Sequence, residues 1–243
     1  MRLHALALGI AIGILASNVG AQDAGDLRAA IALRSTHIGA LTPLLTPAMA
    51  SRRLNGAQFG IRYGYLNESN ITTQAIAAAA IFTVGLQSSV TLNAGVLDAN
   101  CVQCSPAMML GADADMRIAD RAGFMGGQLS VAVNGQAGYA QLKPGSDHAM
   151  ALAVGVPFAL SFGGGGSDGL RFAPFVTPSF GVGETSDPCA FGGCSQSGTR
   201  FLVAGGIGVW NPMSNISASI GINQTVISGA QPVFGVNVSV GGR

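Results

Sequence analysis

Charge is the scarcest property of this 243-residue chain. Asp, Glu, Lys and Arg together make up 9% of it, where a soluble domain ordinarily carries about 25%. A water-facing surface depends on such charges for solubility, so the composition argues against an ordinary soluble domain. The formal net charge is only +1, and this excludes the basic footprint of a nucleic-acid-binding protein. Aromatic residues are 6% and histidines number three. Long apolar runs are missing too, although 49% of the residues are hydrophobic and the mean hydropathy is +0.44. No segment is apolar over the roughly 20 residues that a membrane-spanning helix needs. A phosphate-cradling loop is also absent, because the run Gly163 to Gly166 precedes neither Lys-Ser/Thr nor a helical pattern.

What is present begins with a targeting segment. Arg2 supplies a positive start, Ala5 to Ala16 form a short apolar core, and Val19-Gly20-Ala21 places small residues where a signal peptidase cuts. Residues 1–21 therefore read as a signal peptide, and the mature chain is expected to begin near Gln22. No Cys follows the apolar core to carry a lipid. Residues 22–55 form a distinct N-terminal segment broken at Gly39, Pro43 and Pro47, with Arg52 and Arg53 at its boundary. Its expected place is either inside the following domain as a plug or outside it as a tail.

From Gly56 onward apolar residues recur at every second position, the period of a β-strand with two unlike faces. Phe59, Ile61, Tyr63 and Tyr65 alternate with Gln58, Gly60, Arg62 and Gly64. Val90, Leu92, Ala94 and Val96 alternate with Ser89, Thr91, Asn93 and Gly95. The pattern repeats about ten times and ends on Phe234, Val236, Val238 and Val240. The segment 70–84 is Ala-rich and less sharply two-faced, and Pro174 and Pro178 interrupt the run from Leu170 to Gly183. Glycines number 36 and are scattered, not periodic.

A soluble β-sandwich also alternates, but its polar face meets water and is stocked with Lys, Glu and Thr. Here the polar face holds Gly, Ala, Ser and Asn, while the apolar face is almost free of charge. That arrangement suits a closed barrel with lipid outside and a confined interior. The predicted fold is all-β: a transmembrane antiparallel up-and-down β-barrel of about ten strands over residues 56–243. Each strand with its turn averages roughly 19 residues, enough for a spanning strand of about 9–11. The soluble sandwich remains the competing architecture.

With a signal peptide followed by these alternating strands, the chain resembles the small porin-like outer-membrane proteins of Gram-negative bacteria. The resemblance implies an outer-membrane location, with membrane lipid and the barrel-assembly machinery as partners. It implies a structural role or the narrow passage of small solutes, with no cofactor, metal or catalytic residue. Members usually end on an aromatic residue, whereas this chain ends Val240-Gly241-Gly242-Arg243.

Asp113, Asp115 and Arg117 share one inward face, and Arg62, Arg171 and Arg200 fall on inward faces of other strands. They read either as an internal ion-pair network or as a charged constriction. An alternative function is an outer-membrane enzyme, modifying lipid or cleaving protein, built on His148 near the extracellular mouth beside Ser146 and Asp147. The four cysteines form two local pairs, Cys101/Cys104 and Cys189/Cys194, both in connections expected outside the cell. An exported chain with paired cysteines reads first as disulfide-bonded. Non-reducing peptide mapping of protein taken from cells should recover Cys101–Cys104 and Cys189–Cys194. A bridge joining one pair to the other, or four free thiols, would refute the local pairing.

Overall fold

The structure, a computed structural model, describes residues 57–68, 71–85, 87–99, 106–141, 148–163, 169–189, 192–211, 214–225 and 231–241. Within these, only the backbone is described at residues 68, 71, 99, 184–189, 192–198, 200 and 225. The signal peptide and the segment 22–55 lie outside the described residues.

Eleven strand segments follow one another: β1 (Ala57–Glu68), β2 (Ile71–Val84), β3 (Ser88–Ala99), β4 (Ala107–Phe124), β5 (Gly127–Gln141), β6 (His148–Gly155), β7 (Phe158–Gly163), β8 (Arg171–Cys189), β9 (Gly192–Asn211), β10 (Ile216–Thr225) and β11 (Val233–Gly241). They form one antiparallel sheet that closes where β1 pairs with β11. The β6 and β7 segments occupy a single position between β5 and β8, in one continuous register. Only the assignment is interrupted, at Val156 and Pro157. Ala132 N–H donates to Pro157 O at 3.0 Å, and Pro157, having no N–H, cannot return the bond. The barrel therefore has ten strand positions, as the periodicity predicts, and a two-sheet sandwich is ruled out.

Followed from partner to partner around the ring, the registers return to β1 displaced by about 12 residues; for ten strands such a stagger sets a tilt of roughly 40° and a wall radius of about 10 Å. Both described termini, Ala57 and Gly241, lie at one end. The β4–β5 turn lies there as well. Met125 and Gly126 both have positive φ, 48° and 81°, and join β4 to β5 as a two-residue hairpin loop.

The faces sort as the alternation requires. Phe59 is 64% exposed and Ile61 60%, while Arg62 between their row and the interior is 2% exposed. Leu152, Val154, Ile220 and Val238 are likewise outward and exposed. Inward positions are mostly small or polar: Ala75, Ala77, Thr91, Asn93, Ser217, Ser219 and Ser239 are all buried. The Ala-rich β2 obeys the same rule, with Ala77, Ala79 and Ile81 inside and Ile76, Phe82 and Val84 outside.

All three tyrosines, Tyr63, Tyr65 and Tyr139, lie on strand halves nearer the end away from the termini, where Tyr65 pairs with Phe234 and Phe180 with Phe201. Phe59, Phe82, Phe162 and Phe172 lie toward the termini end. Phe172 and Phe180, eight residues apart on β8, set these two aromatic bands roughly 20 Å apart in height once the tilt is included.

Inside, Phe175 sits opposite Gly206, which in turn pairs with Gly221. A Cβ added at Gly206 would meet Ile220 O at 2.2 Å and Phe175 Cζ at 2.8 Å. The ring therefore occupies the space that two glycines leave empty. Gly206→Ala should lower stability by about 1–3 kcal/mol, the usual cost of overpacking. The measurement is the urea midpoint of the refolded barrel in detergent, and an unchanged midpoint would show that the backbone yields there.

Candidate functional site

Buried polar side chains occur on most strands, but the described charged ones, with the side chains that engage them, are concentrated on β1, β4 and β5. Arg62 on β1 reaches Asp113 on β4, with Nη1 to Oδ2 at 3.2 Å and both side chains almost fully buried. Two strands lie between them. Ala77 and Ala79 of β2 and Gly95 of β3 are the small residues that leave a path for the guanidinium. One register step along β4, Asp115 Oδ1 accepts from Asn134 Nδ2 at 2.8 Å. Arg117 Nε lies 3.2 Å from Asp120 Oδ2, and Asp120 Oδ1 accepts from Ser130 Oγ at 2.7 Å.

Asp120 is a member that strict alternation misses. Counting by twos from Asp113 puts residue 120 on the apolar outer face. The ladder between β4 and β5 shifts by one between Arg117 and Ala119, a β-bulge that turns the following even-numbered positions inward. A carboxylate falling on an otherwise apolar face is the signal that would have revealed the bulge.

Four of the six predicted lumenal charges, Arg62, Asp113, Asp115 and Arg117, are thus brought together in one tract. Arg171 is not among them. It stands across the lumen at the start of β8, near the termini end, opposite Trp210 of β9. Arg200 pairs through its backbone with Gly181, and its side chain lies outside the described residues. The opposite wall carries a buried apolar cluster of Ala132, Ala159, Ala173, Phe175 and Trp210, with Thr177 buried further along β8.

At the closure, Ser217 Oγ and Ser239 Oγ are 2.5 Å apart, and Ser239 Oγ donates to Gln58 Oε1 at 3.4 Å. This chain of polar side chains ties the last two strands to the first.

His148 begins β6 on the same face as Met150 and Leu152 and stacks on Tyr139, with ring centroids 5.9 Å apart. It therefore belongs to the outer wall, not to the lumen. Ser146 and Asp147 lie outside the described residues.

Cys101 and Cys104 also lie outside them, in the connection between β3 and β4. Cys189 and Cys194 are not in a loop. They belong to the strands of the long β8–β9 hairpin, where the backbone ladder pairs Cys189 with Gly192 and Cys194 with Asp187. The hairpin projects from the end away from the termini, the end at which β3 finishes and β4 begins. Among the described residues no group of His, Cys, Asp and Glu is arranged to hold a metal ion.

No known protein family matches the chain by sequence, and no curated protein matches it. Among solved structures it is similar to the translocator domain of the autotransporter NalP from Neisseria meningitidis. The identity is 12%, the match covers 89% of this chain and 97% of that one, and the TM-score is 0.36.

The Arg62–Asp113 pair generates a stability prediction. Removing one partner of a buried ion pair leaves a desolvated charge, at a cost of about 3–5 kcal/mol, while removing both together is often close to neutral. Asp113→Ala should therefore lower the urea midpoint sharply, and Arg62→Leu combined with Asp113→Leu should recover most of the loss. A double variant as unstable as Asp113→Ala would show that the pair is not the reason for the loss.

Proposed function

We propose that the chain is an integral outer-membrane β-barrel with a structural role or a narrow porin-like passage for small solutes. The observation that supports this most is the sorting of the two faces. Large apolar side chains cover the outside, while the carboxylates of Asp113, Asp115 and Asp120 are engaged inside. In hydrocarbon a closed sheet leaves no backbone edge unpaired, and an apolar exterior costs nothing. In water the same exterior would be an adhesive surface far larger than soluble proteins expose.

The narrowness of any passage follows from the tract on β1, β4 and β5. Arg62 reaches past β2 and β3 to Asp113, so a bound side chain occupies part of the interior. A fixed ion pair of this kind favours stiffness over conduction. We assign no catalytic role to His148, whose ring packs on Tyr139 at the outer wall. Membrane lipid and the assembly machinery that inserts barrels are the partners this reading entails.

The protein should stay in the membrane pellet when envelopes are washed with alkaline carbonate, and should migrate faster on gels when unheated. Release into the supernatant would end the proposal. In planar bilayers it should give small conductance steps or none. Deletion of residues 22–50 should enlarge them if that segment occupies the lumen, and should leave them unchanged if it is a tail.

A further inference from the structure

A second polar site lies apart from the ion-pair tract, at the rim of the termini end. A cavity of about 200 Å³ opens between the β4–β5 turn, the end of β7 and the start of β8, lined by Gly126, Gly127, Gln128, Ser161, Gly163 and Arg171. Its walls are largely backbone. A Cβ at Gly127 would meet Ser161 O at 2.6 Å, and one at Gly163 would meet Arg171 Cγ at 2.8 Å. The glycines thus let three segments approach closely and seat the stem of Arg171 against Gly163.

The site holds donors without matching acceptor charge. Arg62 and Arg117 each face a carboxylate, but Arg171 has no acidic partner among the described residues. Directly opposite it in the ladder is Trp210, 3% exposed, whose indole Nε1 has no acceptor among the described residues. An indole N–H can only donate, and a guanidinium can only donate. Arg171 lines the cavity, with Trp210 beside it on the next strand and outside the lining. An unmatched guanidinium there calls for an anion, and it fits the oxygens of a phosphate in a two-pronged manner.

The last lining residue indicates what carries the phosphate. Phe162 stacks on Phe172 with ring centroids 5.2 Å apart, and Phe172 is on the exposed outer face. The cavity therefore borders the apolar wall. A free anion has no use for that edge, whereas a lipid lays its acyl chains along it.

We propose that this rim pocket binds the phosphate of an anionic phospholipid headgroup, with Arg171 as the donor and the acyl chains running beside Phe162 and Phe172. The proposal rests on the membrane reading above. It fails separately, because carbonate extraction tests that reading and is indifferent to Arg171.

Trp210 is the only tryptophan in the chain and stands opposite Arg171 in the ladder, so its fluorescence reports on the neighbourhood of the site. The refolded full-length protein in detergent is titrated with dihexanoyl phosphatidylglycerol, with dihexanoyl phosphatidylcholine and with inorganic phosphate. The expected result is a saturable change in emission with the phosphatidylglycerol, at least tenfold weaker with phosphatidylcholine and absent with phosphate. Arg171→Gln should weaken the response at least tenfold while keeping the folded gel shift, and Arg171→Lys should restore part of it. Arg121→Gln, on an exposed residue outside the pocket, should bind as the wild type does. An equal response to inorganic phosphate would overturn the lipid assignment. A response to phosphatidylglycerol that Arg171→Gln leaves intact, or no saturable response at all, would overturn the site.

Discussion

A peptide group that cannot reach water must find its hydrogen-bond partner in the chain. In a sheet with an apolar outer face this condition is met only if the last strand returns to the first. Here it does so through the register that sets Phe59 against Val240 and Tyr65 against Phe234. Closure then dictates the rest. Ten tilted strands enclose an interior of limited radius, so most inward positions carry small or polar residues, with Ile81, Met109, Phe175, Leu202 and Trp210 among the larger ones. Outward positions carry no such limit and accept Phe, Ile, Leu or Met freely. The abundant glycine has the same origin, since the strands approach closely and the inward positions leave little room.

The interior is divided between two chemistries. On β1, β4 and β5 each charge has a counterpart: Asp113 meets Arg62, Asp115 accepts from Asn134, and Asp120 lies between Arg117 and Ser130. Neutralising charges in place is what a confined interior requires, since an isolated buried ion is strongly disfavoured. On β8 and β9 the wall is built from Ala173, Phe175 and Trp210 over small neighbours, and its one described cation, Arg171, is without a carboxylate. The first half explains rigidity. The second leaves a donor-rich rim whose natural complement is negative charge from outside the described chain.

Much of this was legible in the sequence because strand alternation is a strong and local signal. The outward rows through Phe59, Leu92, Leu152 and Ile220 could be read directly, and the fit of about ten units to the length anticipated the ten positions. Even Pro174 and Pro178, which weaken the pattern of β8, do not remove the strand. What alternation does not show is anything that depends on a change of phase or on tertiary distance. The bulge after Arg117 reverses the faces of β4 and brings Asp120 inside. The hairpin of β8 and β9 extends far enough to take Cys189 and Cys194 out of a loop and into the ladder. Whether Arg171 joins Asp113 or stands alone depends on where two strands lie around a ring, and no periodicity encodes that. Where their side chains are described, the six charges fall into a tract of four with Arg171 apart from it, a partition that depends on position around the ring.

The prolines add a further asymmetry to the wall. Val156 N–H donates to Pro178 O at 3.0 Å and Ala132 N–H to Pro157 O at 3.0 Å, but neither proline can donate in return. The ladder between β7 and β8 also skips Pro174, passing from Ala159 opposite Phe175 to Phe162 opposite Phe172. Three missing donors thus fall on the two seams that flank β7, where a paired backbone matters most. Segments held by fewer backbone hydrogen bonds open at lower free energy than their neighbours. The β7–β8 seam is also the one that ends at Gly163 and Arg171, beside the stacked rings of Phe162 and Phe172. The part of the wall that gives way most readily sideways is therefore the part with unmatched donors behind it. The same local weakness that makes β7 a poor structural strand makes it the place where a headgroup can leave the lipid face and reach a guanidinium without crossing the lumen.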